Sequence, residues 1–207
     1  GRARSENAVQ THYSRYYYGT NVSAPSIVSQ PASKTLLAGA APILSVKAEG
    51  TLPISYQWKS NNVPIAGATS PLWTVSSAPG VASTATYTLS VANAFGATES
   101  APVTLTFVPA TDAYATTILQ DRPSSYWRLG ETTGTLAEDV AGFNDATYRG
   151  PLTLGQPGAL TDSGNPAVLF SDAGSAAEAP YTPALNPTTP FSVEFFVKPS
   201  QSGQIQR

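Results

Sequence analysis

The sequence predicts an all-β protein built from short antiparallel strands, and three observations lead to that fold class. Charged residues make up only 12% of the 207 residues, about half the usual share, whereas the chain has 16 glycines and 18 prolines. Apolar and polar residues alternate strictly in several short stretches. These stretches are separated by Pro, Gly and Asn, which end strands and form turns. A hydrophobic content of 41% is enough for a substantial core.

Charge and composition also narrow the function. The formal net charge is −2 and no basic stripe occurs, so nucleic-acid binding is not expected. Cysteine is absent, which excludes disulfides, thiolate metal sites and cysteine nucleophiles. No stretch approaches the roughly 20 apolar residues of a membrane span. The first residues, GRARSENAVQ, lack the hydrophobic region of an intact signal peptide, so we expect that a segment was removed or that the chain is part of a longer one.

Four alternating stretches lie between residues 24 and 108, and each has one apolar face. This pattern predicts antiparallel sheets with one side buried. The apolar sets are Leu44, Val46 and Ala48; Ile54, Tyr56 and Trp58; Tyr87, Leu89 and Val91; and Val103, Leu105 and Phe107.

The order of these residues resembles an immunoglobulin-like domain over residues 24–108. Trp58 stands where such domains carry a buried Trp, Tyr87 stands at the tyrosine corner, and Val46 and Leu89 replace the two family cysteines. The resemblance implies a closed sandwich of seven to nine strands with these four residues in one core cluster. It also points to bacterial surface and secreted proteins, in which cysteine-free domains of this kind serve as spacers.

A change of pattern at "VPATDA" predicts a domain boundary near residue 109. Beyond it, SYWRLGE and PAVLFS read as strands, and Phe191–Pro199 alternates as a further strand. Residues 109–207 resemble the first half of a laminin-G-like, concanavalin-A-like lectin/glucanase domain, which implies an incomplete jelly roll. The residues that carry this resemblance are Asp121–Glu131, Asp139, Gly142, Ala167–Phe170 and Phe191–Pro199.

The first residues, 1–23, resemble the end of a preceding domain of the same family. Val9, His12 and Tyr13 match the positions of its short closing helix. The chain is therefore expected to be a slice of a tandem protein or a subunit completed by a neighbour. The strand Phe191–Pro199 needs partners from outside residues 24–207, and strand donation between subunits would give a head-to-tail contact that propagates into filaments.

Catalysis is not expected. A retaining glycosidase needs two carboxyl groups about 5–5.5 Å apart. Glu194 is followed on its own face by Phe196 and Lys198, so the second acid is missing. The single histidine, His12, lies in an end segment, which is typical of a surface or packing role.

Calcium is the one cofactor that the laminin-G-like resemblance implies. Asp139, Asp145, Asp162 and Asp172 lie in turn-rich loops and are oxygen donors of the kind that calcium prefers. No dense D-x-D-x-D-G pattern occurs, and the pattern favours the alternative that these residues cap turns by accepting hydrogen bonds from nearby amides.

Three loop aromatics, Phe143, Tyr148 and Tyr181, are candidates for stacking on a carbohydrate, although buried packing is the more typical role of such residues. We assign Trp58, Trp73 and Trp127 to cores. Asn21 begins an N-x-S glycosylation sequence within a predicted linker.

Together these features predict a non-enzymatic extracellular or cell-surface modular protein for adhesion, carbohydrate binding or fibre assembly. The immunoglobulin-like domain would be a spacer, and the partners would be carbohydrate or other copies of the chain. The alternative is an accessory binding segment of a large secreted polysaccharide-degrading enzyme.

Overall fold

The computed structural model describes residues 22–160, 164–182, 185–186, 188 and 190–197. These residues form fifteen β-strands and one α-helix, so the all-β prediction is confirmed. No helix among them is long and apolar enough to cross a membrane. The predictions for Val9, His12, Tyr13, Asn21 and Asp162 lie outside the described residues.

The described chain packs as two compact units. The first contains residues 22–34, 43–75 and 84–106, and the second contains residues 35–42, 76–83 and those from 107 onward. The chain alternates between the two units, and it enters the second unit for the last time between residues 106 and 107.

Ten strands lie within residues 24–108, one more than the upper end of the predicted range. The extra strand arises because the stretch predicted as one strand around Val46 is interrupted at that residue. Its first half pairs with the strand at 72–74 and its second half with the strand at 26–29. The strands are β1 (Ser26–Ser29), β2 (Lys34–Leu37), β3 (Ile43–Ser45), β4 (Lys47–Glu49), β5 (Ser55–Ser60), β6 (Val63–Pro64), β7 (Leu72–Thr74), β8 (Ser83–Asn93), β9 (Gly96–Glu99) and β10 (Val103–Val108).

The largest sheet has six strands in the order β2-β10-β8-β5-β6, with β9 beside β8. Strands β5 and β8 are antiparallel, and their register places Trp58 opposite Leu89 and Ser60 opposite Tyr87. The strands before residue 109 form two further sheets, β1-β4 and β3-β7, which contain two strands each. Because side chains alternate along a strand, this register points Trp58 and Leu89 to the same face.

The four residues predicted to form the core of the first unit are buried, but the sheets are not closed as predicted. Trp58 is 0% exposed, and Val46, Tyr87 and Leu89 are buried as well. The indole Nε1 of Trp58 donates to the carbonyl oxygen of Ser70 at 3.0 Å, so its polar group is satisfied inside the core. Trp73 is only half-buried.

The second unit contains the helix α1 (Ala113–Gln120), which the alternation pattern did not reveal. Asp112 is its N-cap and accepts a hydrogen bond from the amide of Ala115 at 2.7 Å. Ala115 and Leu119 form the buried side of the helix.

In the part of the chain that the structure describes, five short strands follow the helix. The buried residues Ala137, Ala146 and Tyr148 form a small core against which Trp127 and Val168 pack. The predicted strand PAVLFS is present as β14. The strands are β11 (Leu136–Ala137), β12 (Ala146–Arg149), β13 (Leu152–Gln156), β14 (Ala167–Phe170) and β15 (Ala176–Glu178), in sheets ordered β11-β12-β15 and β13-β14.

Two strand predictions are corrected in the second unit. SYWRLGE forms no strand, because Leu129 has a left-handed φ of 52° that breaks the extended run, and only Trp127 forms a single bridge, to Asp139. Residues 191–197 also lie outside every strand, since no strand of the described chain pairs with them. Lys198 and Pro199 fall outside the described residues.

Candidate functional site

Among the described residues of the second unit, the most deeply buried ionisable group is Asp139, whose residue is 0% exposed. Its Oδ1 accepts hydrogen bonds from the amides of Tyr126 at 2.9 Å, Ala141 at 3.0 Å and Gly142 at 3.0 Å. Its Oδ2 accepts from the amide of Asn144 at 3.1 Å. Four backbone N–H groups therefore compensate the carboxylate.

The loop around Asp139 requires a glycine at position 142. A Cβ added there would lie 2.9 Å from Oδ2 of Asp139 and 3.1 Å from the carbonyl oxygen of Ser124. The carboxylate of Asp145 completes the turn by accepting the amide of Asp139 at 2.8 Å. Asp139, Gly142 and Asp145 thus belong to one hydrogen-bonded turn. Their spacing in the sequence marks this turn, as the turn-capping alternative proposed.

Asn144 links this loop to two other segments. Its Nδ2 donates to Oγ of Ser125 at 2.8 Å, and its Oδ1 accepts from Oγ1 of Thr182 at 3.0 Å. Its carbonyl oxygen accepts from Nε1 of Trp127 at 2.8 Å. Trp127 is half-buried, so it contributes to the edge of the core.

The structure brings Asp139 and Asp145 together but joins them through a backbone amide. Asp172 is exposed and caps a turn of its own, where its Oδ1 accepts from the amide of Gly174 at 2.7 Å. Within the described residues, no group of three or more His, Cys, Asp and Glu side chains is arranged to hold a metal ion. The calcium assignment, including Asp162, stays a prediction.

The three candidate carbohydrate aromatics lie in different environments. Tyr148 is buried, and its hydroxyl donates to Oε2 of Glu131 at 2.6 Å. Burial first, and then this hydrogen bond, raise the pKa of Tyr148. Phe143 is half-buried, whereas Tyr181 is 79% exposed. Of these rings, only that of Tyr181 offers an open face, and the carbohydrate assignment stays a prediction.

An ion pair joins the SYWRLGE run to the N-cap of α1. Arg128 Nη2 lies 2.6 Å from Oδ2 of Asp112, and both side chains are largely buried. Because the other oxygen of Asp112 caps α1, one carboxylate positions both the helix and the loop.

A second feature lies beside α1 and involves residues 191–197. The hydroxyl of Tyr114 donates to Oε1 of Glu194 at 2.7 Å. The ring of Tyr114 also meets the ring of Phe196 edge-on, with centroids 5.0 Å apart and an interplanar angle of 87°. Burial first, and then the bond to Glu194, raise the pKa of Tyr114.

The alternate side chains of the same segment are open to solvent. Phe191, Val193, Phe195 and Val197 are 62–73% exposed, and we call these four residues the odd face. Glu194 and Phe196 form the even face, which contacts Tyr114. Phe196 is itself 59% exposed, so the contact with Tyr114 covers only part of the even face. The anchoring role of Tyr114 was missed because α1 was not predicted; Asp112 as N-cap, with Ala115 and Leu119 four residues apart, was the available signal.

Comparison with known proteins finds immunoglobulin-like neighbours. No protein-family model and no curated protein matches the chain. Among solved structures, it is similar to the tandem Ig repeats of Dlar (16% identity, 44% of this chain and 51% of that chain, TM-score 0.37). It is also similar to Sidekick-1 immunoglobulin domains 1–4 (22% identity, 41% and 22% covered, TM-score 0.36) and to a trigonal form of titin M4 (17% identity, 44% and 99% covered, TM-score 0.35).

These matches cover less than half of this chain and about half of the Dlar chain. With identities below 25% and TM-scores below 0.5, we take no function from them.

Proposed function

We propose that the chain is a non-enzymatic modular protein that acts by binding, with the immunoglobulin-like first unit as a spacer and the second unit as the binding module. The observation that carries this proposal is the odd face, whose four apolar side chains are 62–73% exposed. Full burial of such a side chain contributes about 1.5–3 kcal/mol. A contiguous exposed apolar patch of this kind is typical of an interaction site.

The environment of Glu194 supports a binding role over hydrolysis. Its carboxylate accepts the hydroxyl of Tyr114, and its neighbour on the even face is the ring of Phe196. A retaining glycosidase would place a second carboxyl group about 5–5.5 Å from the first. We therefore propose that Glu194 holds the segment against α1.

We further propose that the protein works outside the cell or on its surface, in adhesion or fibre assembly. The absence of cysteine supports a spacer that folds without disulfide formation. The resemblance of residues 109–207 to laminin-G-like domains supports recognition as the task of the second unit.

Carbohydrate binding is the second candidate function, and the exposed ring of Tyr181 favours it. A flat aromatic face in solvent can stack on a sugar ring. This reading would suit an accessory segment of a polysaccharide-degrading enzyme.

Bead adhesion tests the proposal. Beads coated with the chain are mixed with beads coated with the same chain, with matrix proteins or with polysaccharides. We expect adhesion to at least one class, its loss in Phe195→Asp, and its retention in Leu52→Asp, which alters an equally exposed apolar residue of the first unit. Adhesion unaffected by Phe195→Asp would refute a binding role for the odd face. Loss in Tyr181→Ser on polysaccharide beads alone would establish the carbohydrate alternative.

A further inference from the structure

We propose that the partner of the odd face is a second copy of the chain, and that two copies pack their odd faces against each other in antiparallel orientation about a two-fold axis. This inference rests on the proposed function, because it names the partner of the same face. Three features of the segment support it: its orientation, its self-complementary order of side chains and its lack of charge.

The orientation follows from Tyr114. Its contacts with Glu194 and Phe196 hold these two residues beside α1 of the same chain, while Phe196 stays 59% exposed. In the proposed dimer the segment is extended, so that successive side chains point to opposite sides and the odd face is directed away from that helix. A second copy can therefore approach face to face without displacing any contact of Tyr114.

The order of the side chains suits an antiparallel pair. A two-fold axis at position 194 places Phe191 opposite Val197 of the second copy, and Val193 opposite Phe195 of the second copy. Each large ring then meets a smaller β-branched side chain, which is a favourable combination. A parallel arrangement would place ring on ring and valine on valine, which fills the space between the segments less evenly.

Charge does not oppose this packing. Glu194 is the ionisable residue of 190–197, and it lies on the even face. The two carboxylates would point away from each other, each toward its own Tyr114. The low net charge of −2 adds little repulsion between copies.

The exposed area is sufficient for a small specific interface. A fully buried phenylalanine ring contributes about 150–250 Å². Phe191 and Phe195 are 70% and 73% exposed, so their four rings in two copies supply roughly 400–700 Å². The four valines and the backbone between them bring the total toward the roughly 1,000 Å² that a specific interface needs.

The absence of cysteine permits a direct test by crosslinking. Phe191→Cys and Val197→Cys chains are treated, separately and mixed, with a bismaleimide that spans about 10 Å, the spacing of packed sheet faces. We expect a crosslinked dimer only in the mixture. In an antiparallel pair, position 191 of one copy faces position 197 of the other, whereas the two copies of position 191 lie about 20 Å apart along the segment, beyond the reach of the reagent. Crosslinks within each single variant instead would overturn the antiparallel arrangement.

Sedimentation velocity supplies the independent readout. The unmodified chain and Leu52→Asp should form a dimer, whereas Phe195→Asp should remain a monomer. A monomeric unmodified chain would overturn this inference, and so would a dimer unaffected by Phe195→Asp. If the chain is monomeric yet its adhesion to other beads still depends on Phe195, the proposed function stands and the second copy as partner is wrong.

Discussion

At the scale of single residues, Asp139 shows how a buried charge becomes a structural element. The carboxylate has four backbone donors and lies at 0% exposure. Each donor would be costly if it were left unpaired, so the carboxylate and the turn stabilise each other. The same residue carried both the resemblance to laminin-G-like domains and the calcium prediction.

Asp139→Asn should lower the free energy of unfolding by about 1.5–3 kcal/mol, the usual contribution of hydrogen bonds to a charged group. The NH₂ group of the new asparagine is a hydrogen-bond donor. It would face either the N–H of Asn144 or the three N–H groups now bound to Oδ1, so donor would meet donor. Urea-induced unfolding measures the change. Asp172→Asn is the control, since it alters an exposed turn and should cost less than half as much. Equal costs for both variants would contradict this view of Asp139.

Trp58→Ala should cost about 3–5 kcal/mol, because it leaves a large cavity in the first unit and removes the hydrogen bond to Ser70. The thermal midpoint and the soluble yield report the loss. Lys59→Ala changes the next residue, whose ion pair with Glu99 at 2.9 Å lies at the surface, and should cost under about 1 kcal/mol. A small effect of Trp58→Ala would mean that the core does not depend on its indole.

Tyr148 gives the chain a sensitivity to alkaline pH. Its pKa is raised in the folded state, so above about pH 10 the unfolded chain loses the tyrosine proton first. Stability is then fully present below pH 10 and falls as pH rises further. Tyr148→Phe should be less stable at pH 7 but should lose less stability between pH 9 and 11. Denaturant midpoints across this range test it, with the exposed Tyr181→Phe as control.

At the scale of elements, the sequence predicted strands where alternation coincided with a buried face. The alternation around Trp58 and Leu89 identified β5 and β8 correctly, because a period of two is the geometry of a strand. It could not show that the chain changes partners at Val46, since both halves keep the same period. It also failed at Leu129, whose left-handed backbone leaves no mark on hydrophobic order.

The helix α1 was missed for a related reason. Thr116, Thr117 and Ile118 are β-branched and favour strands by propensity. Tertiary packing of Ala115 and Leu119, together with the Asp112 cap, overrides that preference. Because the helix was missed, so was the site beside it, where Tyr114 contacts residues 191–197.

Tyr114 should control the order of the 191–197 segment. Tyr114→Ala removes both the ring contact with Phe196 and the hydrogen bond to Glu194, so amide hydrogen exchange of 191–197 should accelerate strongly. Tyr114→Phe keeps the ring and should give an intermediate rate. Peptide-resolved exchange by mass spectrometry measures this, with the peptide containing Trp58 as an internal reference. Equal exchange in the three proteins would show that the segment is held by other contacts.

At the scale of the whole molecule, composition and assembly are connected. The chain has no cysteine, and the aliphatic residues Val46 and Leu89 are buried in the first unit. A disulfide typically contributes about 2–4 kcal/mol, and this chain folds without one. Stability that the covalent bond does not supply can come from association, because any partner that binds only the folded chain stabilises it.

Self-association through the odd face should make thermal stability depend on protein concentration. A tenfold rise in concentration favours the dimer by about 1.4 kcal/mol. Shared between two chains of this size, that change should raise the thermal midpoint by about 1.5–3 °C. Phe195→Asp should have a midpoint independent of concentration, whereas Leu52→Asp should behave like the unmodified chain. Differential scanning calorimetry at two protein concentrations measures the thermal midpoint. If the midpoint of the unmodified chain does not change with concentration, the chain does not form a dimer that dissociates on unfolding.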